Sequence, residues 1–205
     1  MKAIVSFLIG YCFGCLNPAA WVGKKKNVDL SKSGTKNLGA TNTALVLGQK
    51  AGWFVLVFDM FKSIFSYRLA RWIFPNLALA GLIAGLGVLV GHCFPVTMGF
   101  QGGKGLASFG GLVLAHDPLI FCVLLTLGIV LAFVMDYGVY LAVSASLLFP
   151  VASYLRSKDL GILLLTGLAG GFIFLMHLGN LKRAIRHEDP IHTRSGFQKI
   201  FRKKS

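Results

Sequence analysis

Hydrophobic and polar positions fall in long blocks along this chain rather than in short alternations. Apolar segments run at 3–22, 51–74, 77–94, 105–115, 118–135, 138–155 and 160–180, with the fourth clearly shorter than the rest. A helix needs about 20 mainly apolar residues to cross a bilayer, so six of the seven are long enough or nearly so. Inside lipid a backbone can satisfy its own polar groups only as a helix or a closed barrel, and blocks of this length predict helices. Most of the linkers are too short for anything but antiparallel neighbours in one bundle. The pattern therefore predicts an all-α integral membrane protein, a seven-helix transmembrane bundle with one short helix.

Composition agrees with that class. The hydrophobic fraction is 55% and the mean hydropathy +0.71 over 205 residues, well above soluble domains. This leaves little room for a separate soluble domain, and the expected organisation is a single transmembrane domain over 1–186 with a basic tail over 187–205. The first segment has one lysine before it, but Asn17-Pro18 and the lysines beyond do not make a signal-peptidase site, so it is read as a retained span. Cys12 and Cys15 form a CxxC, yet within a spanning helix they are small packing residues; no metal and no cofactor is assigned to them.

Charge changes the picture by giving the bundle an orientation. The net charge is +14, which by itself fits nucleic acid, anionic lipid or a phosphorylated substrate. Its distribution decides against nucleic acid. Of the 21 basic residues, six lie in the 23–50 loop, one in the 95–104 loop and eight in the stretch from Lys182 to Lys204, with five on the opposite side and Lys62 inside a helix. Positive loops stay inside, so the N-terminus is expected outside and the C-terminus in the cytoplasm, in a multi-pass protein of the cell inner membrane.

Both glycine-rich loops then share the cytoplasmic face. The first, Gly34 to Asn42, reads GTKNLGATN and combines Gly34 and Gly39 with Thr35, Lys36, Asn37, Thr41 and Asn42. Glycines let backbone N–H groups approach an anion, hydroxyls and amides add donors, and the helix that follows favours negative charge at its start. An ordinary glycine-rich loop is the alternative. The second, GFQGGKGLAS from Gly99 to Ser108, frames Lys104 with Gly102, Gly103 and Gly105, presenting one point charge to a phosphate.

Three further sets of polar residues lie in or beside apolar segments. Asp59 and Lys62, at i and i+3, are ionisable groups in mid-helix, where they mark function or neutralise each other. His92, at the end of the third segment, reads as a hydrogen-bonded structural group or a titrating one. His177, Asn180 and Arg183 share one face at the end of the last segment, a set suited to binding a phosphorylated acceptor and moving its proton.

Taken in order, GTKNLGATN, DMFKS, GHCFPVTMGFQGGKGLAS and HxxNLxR resemble the bacterial acyl-phosphate:glycerol-3-phosphate acyltransferase family, the PlsY family. The resemblance implies a seven-helix membrane bundle with a cytoplasmic active site. It also implies transfer of a fatty acyl group from acyl-phosphate to glycerol 3-phosphate, giving lysophosphatidic acid for phospholipid synthesis without a cofactor. On that reading the Gly34 to Asn42 loop holds the acyl-phosphate headgroup, the acyl chain lies among membrane lipid, and Lys104, His177 and Asn180 serve glycerol 3-phosphate as catalytic residues. Gly102, Gly103 and Arg183 also bind substrate, and Asp59, Lys62 and His92 support. The acceptor's proton goes to His177 or to a substrate phosphate oxygen.

The chain departs from the family pattern at several positions. GSGNxGATNxxR appears as GTKNLGATNTAL, with Thr35, Lys36 and Leu45; Tyr137, Tyr140 and Val143 stand where the family has an arginine and small serines, and Leu178 replaces an arginine. Near Gly14 the family's GSxPFG is GCLNPA. A lysine replaces an arginine's bidentate clamp only as a point charge. These departures open two alternatives, a paralogue that acylates another acceptor and a non-catalytic regulator of phospholipid synthesis. A small transporter is a third, opposed by the clustering of ionisable residues at one membrane face.

Overall fold

The computed structural model describes residues 1–189 and 192–194. Among the described residues there are helices and no strands: α1 Lys2–Gly14, α2 Pro18–Lys25, α3 Ala40–Leu47, α4 Gln49–Ile73, α5 Ala80–Cys93, α6 Leu106–His116, α7 Pro118–Val134, α8 Val139–Ser157 and α9 Leu160–Ile185, with a 3-10 turn at Val96–Met98. The chain divides into two compact units, Met1–Pro118 and Leu119–Ser205. By length and composition four stretches among the described residues can cross a membrane: Lys2–Lys25, Ala80–Met98, Val139–Ser157 and Leu160–Ile185. The helix α4 is 25 residues long but carries Asp59 and Lys62 at its centre, and α6 and α7 are shorter apolar helices.

Two expected boundaries move. The segment at 3–22 is two helices, because Pro18 cannot donate to an intrahelical bond and is favoured at the first helical position, while Asn17 caps the new start by accepting from Ala20 N at 3.0 Å. The loop at 23–50 contains the eight-residue helix α3, which begins at the glycine-rich stretch and packs on α4.

In the first unit, α1 and α5 cross with almost no side chain between them. Gly10 and Gly14 of α1 lie against the backbone of Ala84, Val88 and Gly91, and Gly87 and Gly91 of α5 lie against Phe7 and Tyr11. Without a hydrophobic drive between helices in lipid, such close contact of small residues supplies the van der Waals attraction that holds them. The Tyr11 hydroxyl then reaches past the crossing, donating to Phe94 O at 3.0 Å and accepting from Val96 N at 3.2 Å. It pins the turn that leads into the second glycine-rich loop.

In the second unit, α8 packs on α9. Pro150 lies inside α8 and cannot donate to Ser146 O, and Gly170 of α9 lies close against that carbonyl. Along α9 one stripe, Thr166, Ala169, Gly170, Ile173 and His177, is buried, while Leu160, Leu164, Leu168 and Leu175 are exposed. An apolar stripe of that kind suits a lipid-facing surface.

Candidate active site

The first glycine-rich loop is shaped from inside by one side chain. Asn42, fully buried at the first turns of α3, accepts from Thr35 N at 2.7 Å and donates to Leu30 O at 3.0 Å and Ser33 O at 3.1 Å. Both ends of the amide are spent on loop backbone. The Asn42 side chain, expected to bind substrate, is buried and organises the loop.

Around it the backbone adopts the left-handed conformation at Gly34, φ 59°, and at Lys36, φ 58°. Within this turn Thr35 N is taken by Asn42 Oδ1 and Lys36 N donates to Ser33 O at 3.0 Å, so these two amides hold the loop itself. A lysine adopts the left-handed conformation less readily than glycine. Gly39 stands at the start of α3, which has no side-chain cap, and Asn37 lies beside it, 3.1 Å from where a Cβ on Gly39 would be. Thr35, Lys36 and Thr41 are exposed and Asn37 is partly buried, so these groups remain accessible at the turn. Upstream, Asp29 accepts from Ser31 N at 2.9 Å and from Ser31 Oγ at 2.6 Å, and these hydrogen bonds, with Lys32 nearby, hold its carboxyl below the usual range.

The second glycine-rich loop doubles back on the end of α5. Gly102 N donates to Cys93 O at 3.0 Å and Gly103 N to His92 O at 3.1 Å. A side chain at Gly103 would run into His92 Nε2 and come within 2.7 Å of Leu38 O. Only a glycine backbone fits there, and the fit brings the two loops together. Lys104 follows immediately, partly buried, and Gly105 turns the chain into α6 at φ 80°.

Beneath this junction lies a buried polar chain. Lys62 Nζ is 2.7 Å from Asp59 Oδ1 and 2.9 Å from His92 Nδ1, and it donates to Leu16 O at 2.8 Å and Gly14 O at 3.3 Å. The three side chains are 1 to 3% exposed. An ammonium has only donors, so His92 Nδ1 accepts and Nε2 carries the hydrogen. The expected Asp59 and Lys62 pair is present, and His92, taken by sequence as a separate group, belongs to it.

In the second unit, His177 is buried in α9 and its Nδ1 lies 2.9 Å from Ile173 O. A carbonyl can only accept, so Nδ1 is the donor and Nε2 is the ring nitrogen left to face other groups. Arg183 donates to Asn180 Oδ1 at 2.9 Å, which confirms the shared face of these two. Tyr137, at a position where the expected family pattern is basic or small, is buried, with its hydroxyl 3.4 Å from His187 Nδ1.

A model of the glycerol-3-phosphate acyltransferase family matches residues 4–187. The chain belongs to this family. Glycerol-3-phosphate acyltransferases of Macrococcus caseolyticus and Geobacillus kaustophilus are 32% and 33% identical to it, each over 93% of this chain and 97% and 95% of theirs. Among solved structures, PlsY (YgiH), an integral membrane glycerol 3-phosphate acyltransferase in its glycerol 3-phosphate form, superposes with a TM-score of 0.85 at 25% identity. That match covers 92% of this chain and 94% of PlsY. The lysophosphatidic acid form superposes with a TM-score of 0.83. The family match accounts for an all-helical membrane acyltransferase in which both glycine-rich loops and the α9 motif fall within the matched residues.

Proposed function

We propose that this family member transfers a fatty acyl group from acyl-phosphate to the hydroxyl of glycerol 3-phosphate, producing lysophosphatidic acid and inorganic phosphate. The observation that carries the reading is the junction at Gly103, where the first glycine-rich loop, at Leu38, and the loop that frames Lys104 are packed together. Two phosphate-binding elements side by side suit a reaction whose two substrates each carry a phosphate. The relatives' names supply the acceptor, and the uncapped start of α3 supplies the place for the donor headgroup.

The roles follow from chemistry. Backbone amides at the uncapped start of α3, from Gly39 to Thr41, hold the departing phosphate and stabilise its growing charge. Lys104, with Gly102 and Gly103, holds the acceptor's phosphate as a point charge. His177 Nε2 accepts the hydroxyl proton, and Asn180 and Arg183 orient the acceptor. Phosphate leaves readily, so positioning and charge stabilisation carry most of the rate.

The topology belongs to this proposal as well: seven spans, with α1 and α2 making the first, the N-terminus outside, and residues 1–186 acting as one catalytic domain in the cytoplasmic membrane. Residues 187–205 form the basic tail, of which 187–189 and 192–194 are described.

The test supplies purified protein in lipid with labelled acyl-phosphate and glycerol 3-phosphate and follows lysophosphatidic acid. Product is expected, and Lys104→Ala is expected to abolish it; near-normal turnover in that variant removes the lysine from acceptor binding. Two observations favour a second reading. Leu45 is 57% exposed on α3 where the family pattern carries an arginine, and Tyr137 is taken into packing with His187 and His192. Turnover with other alcohols and none with glycerol 3-phosphate would establish a different acceptor within the same class.

A further inference from the structure

We infer that the buried chain of Asp59, Lys62 and His92 is a positioning device that sets where the second glycine-rich loop rests on the first, and so where Lys104 is presented. The inference rests on the proposed role of Lys104 in acceptor binding.

The geometry is specific. One ammonium joins three helices: it holds Asp59 within α4, the carbonyls of Gly14 and Leu16 at the end of α1, and His92 near the end of α5. His92 is then fixed at both ends. Its Nδ1 is held by Lys62, and Nε2 forms one wall of the slot that Gly103 fills, with Leu38 O of the first loop as another. The carbonyl of the same histidine accepts from Gly103 N, and that of Cys93 from Gly102 N. A rotation of the His92 ring therefore displaces the loop directly, one residue before Lys104.

Energetics point the same way. Burying an ion pair in a membrane protein is expensive, and replacing such a pair with apolar residues of similar volume is often neutral or stabilising. Simple packing between α1, α4 and α5 does not call for these residues. What a three-way ammonium gives that leucine does not is a defined ring orientation for His92.

Two variants separate positioning from packing. His92→Asn keeps an acceptor for Lys62 at the Nδ1 position, and His92→Leu fills the space without one. In lipid-reconstituted enzyme, His92→Leu is expected to raise KM for glycerol 3-phosphate about tenfold, with kcat changed by less than about threefold. Hydrogen exchange at the Gly102 and Gly103 amides should quicken in the same variant. His92→Asn should stay near wild type in both. A packing role predicts instead lower thermal stability in both variants, with unchanged KM in the folded fraction, and that result overturns the inference.

Should His92→Leu fail to fold, Asp59→Leu combined with Lys62→Met leaves no unpaired buried charge and is expected to show the same rise in KM and faster exchange. Wild-type values in that double variant also refute the device. The two levels fail separately: a wild type that forms no lysophosphatidic acid while the exchange contrast persists removes the functional reading alone. An active wild type with identical KM and exchange in all variants removes the positioning alone.

Discussion

At the scale of single residues, the first loop depends on one amide. Asn42 donates twice and accepts once within its own loop, and removing it leaves backbone groups of Leu30, Ser33 and Thr35 without that partner. Unsatisfied buried groups typically lose about 1–3 kcal/mol. Asn42→Ala should lower thermal stability by that order, and Asn42→Asp, which replaces a double donor facing two carbonyls with an acceptor, should lower it further; calorimetry or thermal-shift measurement in detergent reads both. Asp29 gives the loop a pH response. Its folded carboxyl lies below its ordinary value of 3.8, because Ser31 and Lys32 favour the charged form. That contribution is fully present above pH 3.8 and is lost as pH falls through the lowered folded value. Exchange at the Ser31 amide should therefore be flat from pH 8 to about 5, after correction for intrinsic rates, and the Asp29→Asn variant should differ from wild type in that window.

At the scale of elements, the crossing of α1 and α5 is a backbone-to-backbone contact, and it orients the loop that Tyr11 pins at Phe94 and Val96. Gly91→Leu has no room against Tyr11 O and Gly14, so the helices must separate. A loss of monodisperse protein on size exclusion is expected, together with loss of acyl transfer; an active, monodisperse variant would show that the crossing is not required. The helix segments themselves were legible in the sequence, since apolar runs of this length have no other way to satisfy their backbone in lipid. The break at Asn17-Pro18 was present in the residue types too, but the continuous apolar run around it masked the cap. The α3 helix was hidden for the opposite reason: ATNTALVL is short and of mixed polarity, and its packing on α4 stabilises what propensity alone does not.

At the scale of the whole molecule, the remaining question is where the acceptor's proton goes. The His177 ring is oriented by Ile173 O, which lies 2.9 Å from Nδ1. His177→Ala is expected to lower kcat by about 10²–10⁴, the usual range for general-base catalysis, with a smaller change in KM. A raised KM at unchanged kcat would instead make His177 a binding residue and assign the proton to a substrate phosphate oxygen. Either result is compatible with family membership, which rests on the match over residues 4–187 and not on any one side chain.

Two kinds of information separate here. The sequence by itself determined the membrane class, the two glycine-rich loops and the α9 motif, because segment length, glycine spacing and i, i+3 periodicity are local properties read along one chain. Only the tertiary structure decided that His92 joins Asp59 and Lys62, that Asn42 turns inward, and that Gly103 locks against Leu38. Those contacts link residues 30, 12 and 65 positions apart or settle which way a side chain faces. Sequence spacing carries no such signal. They exist because buried polar groups must find partners wherever packing brings them.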